Sequence, residues 1–266
     1  MILRPPSLDR RRFALGAAAL AAGATLGARP GFVARANAAA PAPIVEITPP
    51  VVRDPASYEV YIPTACKDGP FFIYTCEFDA AWAVLATFGI DAPLEEQLDA
   101  IEIDTRLEPY YQETADGFLI YGGDITSKYS GDYRGNFLAR TTSGGFRPVF
   151  KRWNLLATRV DDRKGIERYL RRGRLIWIKT TVDFKDWVPA TWVTPEGETL
   201  PVVLGNDHAM VVIGFDQDVV VIRDVLGPTD TNWERPYEFE VPWDRFLACW
   251  AAQGSDGLAV GKRDAD

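Results

Sequence analysis

From Leu175 onward the chain becomes a series of short apolar runs separated by turn residues, and this stretch constrains the fold most. Leu175–Thr181 comes first, and Thr191–Val193 and Leu200–Val203 flank a Pro-Glu-Gly-Glu turn. Ala209–Phe215 and Val219–Asp224 flank Asp216-Gln217-Asp218, and Tyr237–Val241 and Leu258–Val260 follow. Each has strand length and strand composition. The preceding sequence carries helical spacing instead. Cys76–Phe88 sets Phe78, Ala81, Trp82, Leu85 and Phe88 on repeating turns before Gly89. Asp91 and Pro93 open a second helix with Leu94, Leu98 and Ile101 on one face. Pro148 opens a third with Phe150, Trp153 and Leu156, and Asp162–Arg172 forms a fourth closed by Gly173. A last helix covers Pro242–Ala252, and Tyr58–Ile62 alternates as a first strand. Residues 117–145, with seven glycines among Tyr, Asp and Ser, read as an irregular but ordered surface region. Helices first and a mostly antiparallel sheet second make this an α+β chain.

The first 38 residues read as a leader. Arg10-Arg11-Arg12-Phe13 precedes an Ala/Gly/Leu-rich stretch, Ala14 to Ala28, too short to span a hydrocarbon core of about 30 Å. Ala36-Asn37-Ala38 supplies small residues for cleavage after Ala38. Paired arginines with Phe two residues on are similar to a twin-arginine export signal, which makes the export machinery a partner and the periplasm or exterior the destination. No membrane insertion is expected after cleavage. Residues 39–57, rich in Ala and Pro, form an arm or linker; 58–262 form one domain; 263–266 are a tail.

Charge narrows the partners. Six arginines and one aspartate put the leader at +5, so against an overall −8 the mature chain stands at −13. Phosphate backbones repel such a chain, so nucleic acid is not an expected partner. One histidine and three scattered cysteines offer no metal cage, and no cofactor is expected.

Three residues carry the chemistry. Cys76 opens a helix, where the dipole and unpaired N–H groups favour thiolate and its backbone N–H can hold an oxyanion; Glu77 opposes ionisation. His208, the single histidine, heads an apolar strand, and Asp224 ends the next. A three-residue loop at Asp216–Asp218 would set Met210 opposite Asp224 and make His208 and Asp224 a diagonal pair on one face. His208 follows Cys76 by 132 residues, within the interval of about 130–150 between papain-type cysteine and histidine. Nucleophile, base and orienting carboxylate make a Cys76–His208–Asp224 triad. Tyr121, Tyr129, Tyr133, Trp187 and Trp192 cover a loop-rich core or line a cleft.

Cys76-Glu77-Phe78-Asp79-Ala80-Ala81-Trp82-Ala83-Val84-Leu85 resembles the nucleophile helix of the papain-like, bacteriocin-processing cysteine peptidases, in their exported, free-standing peptidase C39-like branch. His208–Asp216 and Arg223-Asp224-Val225-Leu226-Gly227 resemble that family's histidine and aspartate segments, and 122–137 takes the place of a family insert. The resemblance implies a papain-like fold, an N-terminal nucleophile helix packed on a C-terminal sheet, and amide hydrolysis of a peptide or protein through an acyl-thioester. It also implies an oxyanion-hole Gln before the nucleophile, where this chain has Cys66-Lys67-Asp68-Gly69-Pro70; Lys67 or backbone N–H groups are the candidate substitutes. Two alternatives stand beside hydrolysis: a catalytically impaired peptide- or envelope-binding relative, and a transglutaminase- or amidase-like acyl transferase. With Cys76 free, Cys66 and Cys249 are candidates for a disulfide, Cys249 equally for a buried free thiol, and Cys66–Cys76 for a redox latch.

Overall fold

The computed structural model describes residues 52–227 and 235–263. The leader, residues 39–51 of the arm and the last three residues of the tail lie outside them. In chain order the elements are β1 (Val60–Tyr61), α1 (Cys76–Thr87), α2 (Leu94–Leu98), β2 (Ile103–Asp104), β3 (Tyr110–Thr114), β4 (Gly117–Tyr121), β5 (Tyr129–Ser130), α3 (Ser143–Arg152), β6 (Leu156–Val160), α4 (Arg163–Leu170), β7 (Leu175–Thr181), β8 (Pro189–Val193), β9 (Thr199–Val203), β10 (Asp207–Phe215), β11 (Val219–Arg223), β12 (Glu238–Pro242), α5 (Trp243–Ala251) and β13 (Gly257–Gly261).

Among the described residues the main sheet has seven strands in the order β12-β11-β10-β7-β13-β6, with β1 added at the far end of β10. Its pairs are antiparallel. Both faces are covered, so alternate residues of each strand enter two different cores. Leu175, Trp177, Ala209, Val211, Ile213 and Val221 face α1 and α3. Ile176, Ile178, Met210, Val212, Val220 and Ile222 face α4 and α5. Because both sides are buried, Leu175–Ile178 of β7 and Ala209–Ile213 of β10 read as continuous apolar runs.

Helix α1 is buried nearly all round, with Phe78, Ala80, Ala81, Ala83, Val84 and Leu85 inside. Such a helix belongs in a core, and each large apolar side chain contributes about 1.5–3 kcal/mol by leaving water. Phe78 meets Phe146 edge-on at 5.2 Å, and Phe146 stacks on Trp177 at 5.1 Å. Those contacts join α1, α3 and β7.

Three expectations need correction. Residues 117–145 are not wholly surface: β4 pairs antiparallel with β3 and parallel with β8, giving a four-stranded sheet β3-β4-β8-β9. Ile120, Ile125, Leu138 and Trp192 form its core. The third helix begins at Ser143 and contains Pro148. Its Gly144 and Gly145 are required by close packing, since a Cβ would lie 2.1 Å from the Thr126 carbonyl oxygen and 2.3 Å from Thr141 Oγ1. Leu156 then starts β6 rather than ending that helix. The second helix stops at Leu98, leaving Ile101 outside it.

The described end of the arm lies on the domain. Arg53 pairs with Glu240 and Asp216, each at 2.6 Å. Among the described residues no helix is long and apolar enough to cross a membrane.

Candidate functional site

Cys76 is the first residue of α1. Thr75, at the N-cap, makes no side-chain capping bond to the helix amides. Its hydroxyl instead accepts from Phe72 N at 2.9 Å and meets Asp79 Oδ2 at 2.8 Å. The amides of the first turn are thus left uncapped by that side chain, as an oxyanion site requires.

The buried Asp79 organises the approach to Cys76. It accepts from Lys67 Nζ at 2.5 Å, from Phe71 N at 2.9 Å and from the Thr75 hydroxyl. Burial pushes its carboxyl up, and these donors offset part of that cost. Lys67 also donates to the Gly69 carbonyl at 3.0 Å and sits 3.5 Å from the Phe71 ring centroid. Two of the three ammonium donors are thus spent on Asp79 and Gly69. Beyond this loop Tyr74 N donates to Tyr133 O, and Tyr129 OH donates to Tyr74 O. Phe72 and Ile73, 39% and 44% exposed, form an apolar shelf with Tyr133 just before the candidate nucleophile.

His208 and Asp224 meet, with His208 Nε2 2.8 Å from Asp224 Oδ2. A carboxylate only accepts, so Nε2 carries the hydrogen and Nδ1 is the nitrogen left for a reacting group. Leu226 N donates to Asp224 Oδ1 at 2.9 Å, which fixes the carboxylate. The pairing follows from a register different from the expected one. Phe215 pairs with Val220, so four residues, not three, separate the paired ends. One extra residue at Ile213 then restores Val212 opposite Ile222 and Val211 opposite Arg223. Asp224 follows directly on the Val211–Arg223 pair, which brings its side chain to the His208 face, where the two bond.

Cys76 stands apart from this pair in its bonding. Its thiol donates to Glu77 Oε2 at 3.2 Å. Alternation along β10 puts His208 on the Met210 side of the sheet, whereas α1 packs on the Ala209 side. Their chain neighbours Glu77 and Asp207 do come together, at the end of the sheet where β10 begins.

Sequence reasoning missed what lies at that end. Lys179 Nζ donates to Glu77 Oε1 at 2.5 Å and to Asp207 Oδ2 at 2.9 Å. Gln253 donates to Asp207 Oδ1, and Arg140 Nε lies 3.9 Å from Asp207 Oδ2. Burial pulls the Lys179 ammonium down, but Asp207 and Glu77 outweigh it and hold its pKa above the ordinary lysine value. Burial likewise pushes Asp207 up, and Lys179 with Arg140 brings it below the ordinary aspartate value. For Cys76, burial and then Glu77 push the thiol well up, against the pull of Lys179. The detectable signal was a lysine inside an apolar strand.

The disulfide candidates are also corrected: all three thiols are free. Cys249 is buried on α5, its thiol donating to Phe184 O at 3.3 Å, whereas Cys66 is exposed and bonds Lys67 O. Tyr129 and Trp192 are core residues, the latter donating to Gly123 O at 3.0 Å. Tyr121 stacks on Tyr110 at 5.3 Å. Among the described residues no group of three His, Cys, Asp or Glu side chains is arranged to hold a metal. A cavity of about 310 Å³ is lined by Lys179, Arg140, Thr142, Gln253 and Asp256 among others.

Comparison with curated proteins finds no match. A solved structure from Bacillus anthracis, described as a candidate C39-like peptidase, is 21% identical and superposes with a TM-score of 0.56, covering 77% of this chain and 98% of that one. That likeness shows the fold to be α+β and papain-like. The profile of the peptidase C39-like family matches residues 58–258, from β1 to β13. With its helix and sheet both inside that match, the chain belongs to the peptidase C39-like family of cysteine-peptidase-like proteins.

Proposed function

We propose that this protein is an exported thiol hydrolase that cleaves a peptide amide bond with Cys76 as nucleophile, His208 as base and Asp224 as the group that orients the ring. The observation that carries the reading is the 2.8 Å bond from His208 Nε2 to Asp224, which leaves Nδ1 for the thiol. The Cys76 side chain turns from Glu77 toward His208 and gives its proton to Nδ1 as sulfur attacks the substrate carbonyl. The oxyanion rests on the first-turn amides of α1. The C–N bond breaks, the leaving amine takes the proton from the imidazolium, and an acyl-thioester remains. Water attacks that carbonyl, His208 accepts its proton, and the C–S bond breaks to release the acid and restore the thiol. No metal or cofactor enters these steps. The Phe72–Ile73 shelf suits a substrate with an apolar residue beside the scissile bond.

A second reading rests on the Glu77-bonded thiol and the missing Gln: a relative that binds a peptide or envelope component without turning it over, or transfers its acyl group to an amine. Iodoacetamide labelling at neutral pH, followed by a peptide-library digest, separates the readings. Labelling confined to Cys76 and lost in His208→Ala, with new peptide termini, supports hydrolysis. His208-independent labelling without cleavage supports binding, and amine incorporation supports transfer. The export part of the proposal rests on Arg10-Arg11-Arg12-Phe13 and Ala36-Asn37-Ala38. Cell fractionation checks it: Arg10→Lys with Arg11→Lys should hold the uncleaved chain inside the cytoplasm.

A further inference from the structure

We propose that Lys179 is a positioning residue of the thiol site: its ammonium joins the start of α1 to the start of β10 and sets the gap that the Cys76 sulfur and the His208 ring must bridge. The proposal rests on the reading of those two residues as nucleophile and base. Glu77 follows Cys76 and Asp207 precedes His208, and both carboxylates meet on one nitrogen, at 2.5 and 2.9 Å. Lys179 itself stands opposite Ala209 on the neighbouring strand. Three distant segments are thereby fixed at one point.

Stability alone does not account for this lysine. Every residue of β7 is buried, and the Lys179 side chain is 4% exposed. Burying an ion pair costs desolvation that its attraction roughly offsets, so an apolar side chain serves a core at least as well. Helix α1 has another tie to β7 that needs no charge, Trp177 Nε1 to Glu77 O at 3.1 Å. What Lys179 adds is the link between the Glu77 and Asp207 side chains. Without it two like charges face each other in a buried place and drive residues 77 and 207 apart. The titratable groups facing Cys76 are Glu77 on its own helix, Lys179 on β7, Asp207 on β10 and Tyr129 on β5. Arg140 borders the same cluster and stays with Asp207.

The test is the rate of iodoacetamide alkylation of Cys76 against pH, read by mass spectrometry on the full chain. Where sulfur and imidazole are in reach, a thiolate–imidazolium pair adds an acidic limb to the profile, and His208→Ala removes it. Lys179→Gln, shown folded by circular dichroism and its melting profile, should lose that limb and alkylate at pH 6 at least tenfold more slowly. Loss of the ammonium's charge alone would move both limbs to higher pH and leave the His208-dependent acidic limb in place. Should Lys179→Gln fail to fold, Lys179→Met with Glu77→Gln removes one cation and one anion together. It is compared with Glu77→Gln, whose amide oxygen still accepts from Lys179. A folded Lys179 variant that keeps the acidic limb unchanged overturns the positioning role. A wild-type profile with no His208-dependent limb overturns the catalytic reading itself, whatever Lys179 does.

Discussion

His208 and Asp224, 16 residues apart, share a 2.8 Å bond because the β10–β11 hairpin slips by one residue at Ile213. If the carboxylate orients the ring, Asp224→Ala should lower peptide hydrolysis roughly tenfold or more, since a hydrogen bond to a charged group is worth about 1.5–3 kcal/mol. Asp224→Asn should keep more activity than Asp224→Ala, because an amide oxygen still accepts from Nε2–H. Steady-state kinetics on both variants checks the order; equal losses would remove the orienting role.

The Cys76 thiol is held up by burial and by Glu77. A raised thiol pKa means less thiolate at neutral pH, so removing the carboxylate's charge should raise it. Glu77→Gln is expected to speed alkylation of Cys76 at pH 7 by roughly three- to tenfold, one pKa unit being tenfold in thiolate. A rate equal to wild type would show that Glu77 does not control this sulfur.

Asp79 collects Lys67, Phe71 N and the Thr75 hydroxyl beneath the loop that leads to the nucleophile. Asp79→Ala leaves those donors without their acceptor, and a loss of about 3 kcal/mol is expected in urea unfolding. Limited proteolysis should cut between Lys67 and Thr75 in the variant and spare wild type there.

Asp104 makes a prediction in acid. Hydrogen bonds from the Arg106 side chain, with others from Asp124 N and Arg106 N, hold its carboxyl well below the usual aspartate range. A depressed acid stabilises fully above its unfolded value near 4 and loses that contribution as pH falls through the folded value. Arg106 is half exposed and regains water, so Asp104→Asn should cost about 1–2 kcal/mol at neutral pH. Thermal melts should show the two proteins converging below roughly pH 3.

Where apolar residues recur with a clear period, the fold was legible. The expected Leu175–Thr181 strand matches β7, and α1 ends one residue before the expected stop, because both are buried and their patterns face known cores. The second sheet was not legible. Tyr110–Gln112 and Glu113 of β3 are exposed, so no alternation marks the strand, and β4 pairs with β8 across some 70 residues. The sheet's His208–Asp224 face was readable from the hairpin, though two departures from the expected register cancelled to produce it. The Glu77–Lys179–Asp207 cluster joins residues that periodicity treats separately, and a charge pattern confined to one segment cannot reveal it.

The extra residue at Ile213 has an evolutionary corollary. It acts as a vernier between the Asp216–Val219 connection and the histidine end of the hairpin. Relatives could lengthen or shorten that connection by one residue and absorb the change at this position, keeping imidazole and carboxylate on the same side. Drift in the outer tip is therefore cheap, whereas an uncompensated insertion between His208 and Ile213 would turn the two groups away from each other.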